Sequence, residues 1–134
     1  PFADGTLKMQ APHFKARGFD LEAEVPNLHW GTVNVKLNRE LVLGEADSTL
    51  QMVDWTSGTE GAQIPPETFS FVRCCLAYDD RYYAGLIYYP HPETKPSTNS
   101  HNYDVIEVLT SVVSHLRAGA PAAVVCRSHS FRPR

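Results

Sequence analysis

The chain has 134 residues, with 12 Lys and Arg against 15 Asp and Glu, a net charge of -3. Hydrophobic residues make up 43% and charged residues 20%, so there is enough apolar material for one core, and a wholly disordered chain is excluded. The mild negative balance argues against a broad basic surface for nucleic acid. No apolar run approaches the roughly 18 residues of a membrane-spanning helix. One domain over 1–134 is therefore expected, with neither nucleic acid nor a membrane as partner.

Ten Pro, eight Gly, six Tyr, six Phe and two Trp favour a β-rich barrel or sandwich over a helical bundle. The cysteines are Cys74, Cys75 and Cys126. Their odd number and the lack of a CxxC spacing predict free thiols in a reducing compartment. With no apolar signal segment among the first residues, a cytoplasmic location is expected.

In chain order, Thr6 to Gln10 reads as a short strand with Leu7 and Met9 on one face, and Pro12 to Arg17 breaks the pattern. Gly18 opens a seven-residue alternation in which Phe19, Leu21, Ala23 and Val25 are apolar while Asp20, Glu22 and Glu24 are acidic, which predicts a strand. Val33, Val35 and Leu37 alternate with Thr32, Asn34 and Lys36 in a second strand. Leu41 to Leu43 extends the sheet after a turn near Asn38. Residues 44–66 are irregular, with Leu50 to Trp55 as one strand or a packed loop. Phe69 to Tyr78 and Tyr82 to Tyr89 form a hairpin around Asp79-Asp80-Arg81, and Gly85 marks a bulge or a close backbone approach. Residues 90–102 form a second long loop. Irregular stretches of this length mark function or mobility. A strand from Val105 to about Thr110 is followed by helical turns from Ser111 to Arg117, closed by Gly119 and Pro121. Ala122 to Cys126 is a last strand, and the basic tail 127–134 is expected to fray.

Alternation sets Thr32 and Asn34 on one face, about 7 Å apart. A hydroxyl and an amide oxygen at that spacing can share a hard cation such as Mg²⁺, with Lys36 beside them to meet a phosphate. The same pattern is also that of the wet face of an amphipathic strand. The six histidines show neither HxH nor HExxH spacing and read as scattered surface residues, although His91 and His101 share one loop. The tyrosines could stack a base or a flavin ring, or simply pack. No G-x-S-x-G and no assembled Ser–His–acid triad is visible.

The segment Gly31-Thr32-Val33-Asn34-Val35-Lys36-Leu37 resembles the GT-L-N-[VL]-[KR]-L motif of archaeal CTP-dependent riboflavin kinases. Tyr83 to Ile87, His101 through Leu109, and Leu116-Arg117 followed by Gly119 and Val124-Val125 are similar to later segments of that family, in the same order. The resemblance covers roughly residues 13 to 127. It implies a small, closed six-stranded cradle-loop barrel, mainly β with one short helix. It implies Thr32 and Asn34 as Mg²⁺ ligands and Glu107 as a flavin contact that orients the acceptor hydroxyl as catalytic residue. Thr98 and Asn99 occupy the place of a flavin-binding threonine. Lys15, Arg17, Gly18, Lys36 and Arg117 fall where the nucleotide is held. The family's glycine-rich phosphate turn corresponds to His13 through Gly18, where Gly18 alone is a glycine and Lys15 and Arg17 bring charge instead. The implied activity is phosphoryl transfer from a CTP-like nucleotide to riboflavin or a related small molecule. A non-catalytic flavin- or nucleotide-binding barrel, or an interaction domain on the same scaffold, fits the same residues. Glu107 reads equally as a buried, hydrogen-bonded strand residue.

Overall fold

The computed structural model describes residues 6–56, 64–95, 101–111 and 116–134. It opens with helix α1 (Thr6–Ala16) and the single turn α2 (Leu21–Glu24). Eight strands follow: β1 (Val33–Lys36), β2 (Leu41–Leu43), β3 (Ser48–Val53), β4 (Glu67–Tyr78), β5 (Arg81–Pro90), β6 (Val105–Thr110), β7 (Ala123–Val125) and β8 (Phe131–Pro133). The main sheet runs β1-β6-β5-β4-β3, with β7 also on β4, and β2 pairs with β8 in a separate ribbon. All pairings are antiparallel.

The chain is mainly β, as expected, but the main sheet is a curled half-barrel rather than a closed six-stranded barrel. Both of its faces are already covered. On one, α1 and α2 bring Leu7, Phe14, Phe19, Leu21 and Val25 against Phe69, Phe71, Leu86 and Leu109. On the other, Leu41, Leu43 and Phe131 from the β2–β8 ribbon pack with Val72, Ile87, Ile106 and Val108. A sheet buried on both sides by other elements gains nothing further from closing on itself.

The N-terminal strands are helices instead. Leu7 and Phe14 lie seven residues apart, two helical turns, and both are buried together with Gln10. Pro12 sits inside α1 without ending it. The helix stops in a Schellman arrangement: the Phe19 N–H bonds to the Phe14 carbonyl (3.0 Å), the Gly18 N–H to the Lys15 carbonyl (2.9 Å), and Gly18 takes φ +90°. Asp20 then caps α2, accepting from the Glu22 N–H at 3.1 Å. Leu21 and Val25 satisfy the helical spacing of four as well as the alternation of two, and the cap decides between them.

The remaining elements follow the sequence more closely. Leu50 to Trp55 contributes to β3, whose register shifts between Leu50 and Val53. Gly85 holds the β4–β5–β6 register without a bulge, and a Cβ there would stand 3.0 Å from the Leu109 carbonyl oxygen, so the close approach is what excludes a side chain. Ser111 bridges to Leu28 and residues 116–117 are not helical, while the rest of the expected helical turn lies outside the described residues. The tail does not fray. Residues 131–133 form β8 on β2, and the Arg134 guanidinium lies 3.8 Å over the Tyr103 ring while pairing with Glu40.

Asp79 and Asp80 form the two-residue β4–β5 turn with φ of +53° and +59°. A turn with both central residues left-handed suits glycine at its second place. Asp80→Gly is expected to stabilise the protein by about 0.5–1 kcal/mol, read as a rise of a few degrees in Tm by circular dichroism.

Candidate functional site

The β1–β6 register sets Asn34 opposite Glu107, and the β5–β6 register sets Glu107 opposite Tyr88. Asn34, Glu107 and Tyr88 therefore form one row across the helix-covered face of the sheet. Thr32, two residues before Asn34, donates its hydroxyl to Glu107 Oε1 at 3.0 Å and lies 3.4 Å from Asn34 Oδ1. Two residues close in sequence and a third 75 positions from Thr32 thus bring three oxygens together. At the inner end of the row the Tyr88 hydroxyl donates to Gln10 Oε1 of α1 at 2.7 Å.

Burial pushes the Glu107 carboxyl above the usual carboxylate range, partly offset by the Thr32 hydroxyl and the charge of Lys95. Burial, with the Glu107 charge nearby, pushes the Tyr88 hydroxyl well up, so Tyr88 stays a neutral donor. A second carboxylate sequence reading missed, Glu67, is also raised by burial and accepts from Trp55 Nε1 at 2.9 Å. Nothing local in the sequence marks Glu67, because its partner is twelve residues away across the β3–β4 connection.

β1 is an edge strand, and beside it runs a groove of 650 Å³. His29, Thr32, Asn34 and Lys36 line one side of it, and residues 116–122, including Arg117, line the rest. Lys36 pairs with Asp104, whose carboxyl is held below its usual range by that contact. Arg117 forms no ion pair with any of the described residues. Glu107 does not itself line the groove: it stands one strand in from the edge, behind Thr32.

The other expected nucleotide contacts are elsewhere. Arg17 donates to the carbonyls of Gln51 (3.0 Å) and Met52 (3.2 Å) on β3, at the opposite edge of the main sheet from β1. Lys15 stands 3.9 Å from Asp20, and Gly18 serves as the left-handed residue that ends α1. The segment aligned with a phosphate turn is the end of a helix, and its conformation serves packing. Thr98 and Asn99 lie outside the described residues.

The tyrosines do not form one stacking platform. Tyr88 packs on Phe69 and Phe71, Tyr89 on His91, His101 and Phe131, and Tyr82 is 76% exposed. His91 and His101 meet only through the Tyr89 ring. Among the described residues no group of three or more His, Cys, Asp or Glu is placed to hold a metal. Tertiary structure does assemble a Ser–His–acid row absent from the sequence pattern: Ser70 Oγ lies 2.6 Å from His91 Nε2, and His91 Nδ1 lies 3.1 Å from Glu93. Ser70 is fully buried and also bonded to Thr49 Oγ1 at 2.7 Å, so this row serves as an internal tie between β3, β4 and the end of β5.

Because folding raises the proton affinity of Glu107, the contribution of this group to stability is fully present below the ordinary carboxylate range and is lost as pH rises through the folded group's titration. Glu107→Gln keeps an acceptor for Thr32 and removes the buried charge. It is expected to melt above wild type at neutral pH, with the difference fading on acidification. Equal melts at neutral pH would contradict the assignment.

Comparison with known proteins returns no match: no family model fits the chain, and neither a curated protein nor a solved structure is significantly similar to it.

Proposed function

We propose that this half-barrel binds a small anionic, oxygen-rich ligand of the flavin or nucleotide class in the groove between β1 and residues 116–122. The observation that carries the reading is the contact of the Thr32 hydroxyl with Glu107, with Asn34 beside it, on the wall of a groove that also holds Arg117, which forms no ion pair with any of the described residues. A 650 Å³ groove matches the size of drug-sized ligands and cofactors. Arg117 offers a fork of donors for a phosphate, and Lys36 adds charge tempered by Asp104.

The donor set also suits Mg²⁺. Octahedral Mg²⁺ at 2.0–2.1 Å from its ligands sets neighbouring oxygens about 2.9 Å apart. The Thr32 oxygen stands 3.0 Å from Glu107 Oε1 and 3.4 Å from Asn34 Oδ1. Thr32, Asn34 and Glu107 would hold the ion, which would supply charge for phosphate oxygens.

Binding is favoured over phosphoryl transfer because Arg17 is tied to β3 at the far edge of the sheet and Lys15 and Gly18 serve the end of α1, so these residues do not offset charge developing on a phosphoryl group beside β1. One observation favours the kinase reading: the Glu107 carboxyl, raised by burial, is suited to accept a proton, and the Thr32 hydroxyl bonded to it stands between it and an acceptor alcohol in the groove.

A thermal-shift panel of riboflavin, FMN, CTP and ATP, each with and without Mg²⁺, tests both. A ligand at about 100 times its Kd stabilises by about 2.7 kcal/mol, a rise of several degrees in Tm. FMN or CTP is expected to shift Tm more than riboflavin, Arg117→Ala to remove that difference, and Thr32→Ala with Asn34→Ala to remove the dependence on Mg²⁺. If none of the four moves Tm, the reading fails. Formation of FMN from riboflavin and CTP would select the kinase.

A further inference from the structure

The β4–β7 register pairs Cys75 with Val125, Leu76 with Val124 and Ala77 with Ala123. Continued one residue past the end of β7, that register sets Cys74 opposite Cys126, whose thiol is near enough to act on the Cys74 thiol. Opposed residues of an antiparallel pair have Cα atoms about 4.5 or 5.5 Å apart, inside the roughly 4.4–6.8 Å that a disulfide spans. Cys74 belongs to the core cluster of Val72, Ile87 and Val108, and Cys126 is partly buried among the side chains packed on that cluster. Cys75, one residue along β4, points to the other face and is exposed. All three thiols are free in this structure. The sequence sets Cys74 beside Cys75 and predicts free thiols; the fold sets Cys74 near Cys126.

We propose that Cys74 and Cys126 form a cross-strand disulfide when the protein meets a thiol oxidant of the glutathione-disulfide type. Cys126 is the more accessible of the two. Its thiolate attacks one sulfur of glutathione disulfide, the S–S bond breaks, and one glutathione leaves and takes up a proton. Cys74, on losing its own proton, attacks the Cys126 sulfur of the mixed disulfide and releases the second glutathione, which is protonated in turn. Two protein thiols are oxidised to one disulfide and one glutathione disulfide is reduced to two thiols.

Burial sets the character of this site. It pushes the Cys74 thiol up to about 12 and raises Cys126 as well. Little thiolate is present at neutral pH, so the exchange is slow and quickens with alkalinity. The Cys74 sulfur stands on the β5 side, 3.4 Å from where a Cβ on Gly85 would lie, so forming the bond requires it to rotate about χ1 toward β7. The bond would fasten the three-residue β7 to β4, and with it the 116–122 wall of the groove that leads into β7.

The test treats the folded protein with excess glutathione disulfide at mildly alkaline pH, alkylates the remaining thiols, and maps peptides by mass spectrometry without reduction. The expected result is a Cys74–Cys126 link, an alkylated Cys75, and a Tm roughly 10 °C above that of the dithiothreitol-treated protein, in keeping with closure of a long loop. Cys126→Ser should lose both the link and the Tm gain, while Cys75→Ser should keep both. A link through Cys75, full alkylation of Cys74 and Cys126 after oxidation, or a link with no rise in Tm would each overturn the proposal. The wild-type peptide map decides the matter even if Cys126→Ser fails to fold.

Discussion

Phe14 projects from α1 between Phe69 and Phe71, its ring edge-on to both at centroid distances of 4.9 and 5.4 Å, and Phe19 stacks on Phe71 from the other side at 4.4 Å. Removing such a ring from a core costs about 3–5 kcal/mol, a large share of a small domain's total stability of about 5–15 kcal/mol. The contact seats the N-terminal helix on the sheet. With one face under helices and the other under the β2–β8 ribbon, the sheet curls without meeting itself, and β1 is left as an edge. The groove beside β1 exists because of that open edge.

The same helix reaches the site through polar atoms. Gln10 of α1 is buried and receives the Tyr88 hydroxyl, Tyr88 opposes Glu107, and Glu107 receives the Thr32 hydroxyl. Each member of this row is satisfied by its neighbour, which is the condition for polar groups to survive in a core. The row is two hydrogen-bonded pairs set side by side, Gln10 with Tyr88 and Thr32 with Glu107, joined by the β5–β6 register. Electrostatic strain is concentrated at one place in the row, the desolvated carboxyl of Glu107.

What could be read from the sequence was whatever rests on strand alternation. Thr32 to Lys36, the β4–β5 hairpin and β6 carry alternating or β-branched and aromatic residues, and the structure places them as strands. The grouping of Thr32 and Asn34 with Glu107 came from the family resemblance and not from alternation, because β6 is buried on both sides and Glu107 shares its face with Leu109. The N-terminal region was misread because Leu7 and Met9 mimic a period of two over five residues, while the helical partner of Leu7 is Phe14, beyond a proline that looked like a breaker. Positions 21 and 25 fit both periods, and only the Asp20 cap distinguishes them. Lys15, Arg17 and Gly18 stand away from β1 for the same reason: once residues 6–16 are helical, Gly18 is a helix terminator and Arg17 reaches β3. The Ser70–His91–Glu93 row and the opposition of Cys74 to Cys126 depend on register between distant strands, which no local pattern encodes.

The pairing of β2 with β8 has a consequence for synthesis. Leu41 to Leu43 leave the ribosome with no strand to join, because their partners, residues 131–133, are translated some ninety positions later. Until then an apolar tripeptide beside a half-built sheet is open to wrong partners, as contacts of long sequence separation generally are. Burial of the second face thus waits for β8, and a ribosome stalled before residue 131 would hold a nascent sheet whose second face lacks Phe131 and the pairing that seats Leu41 and Leu43.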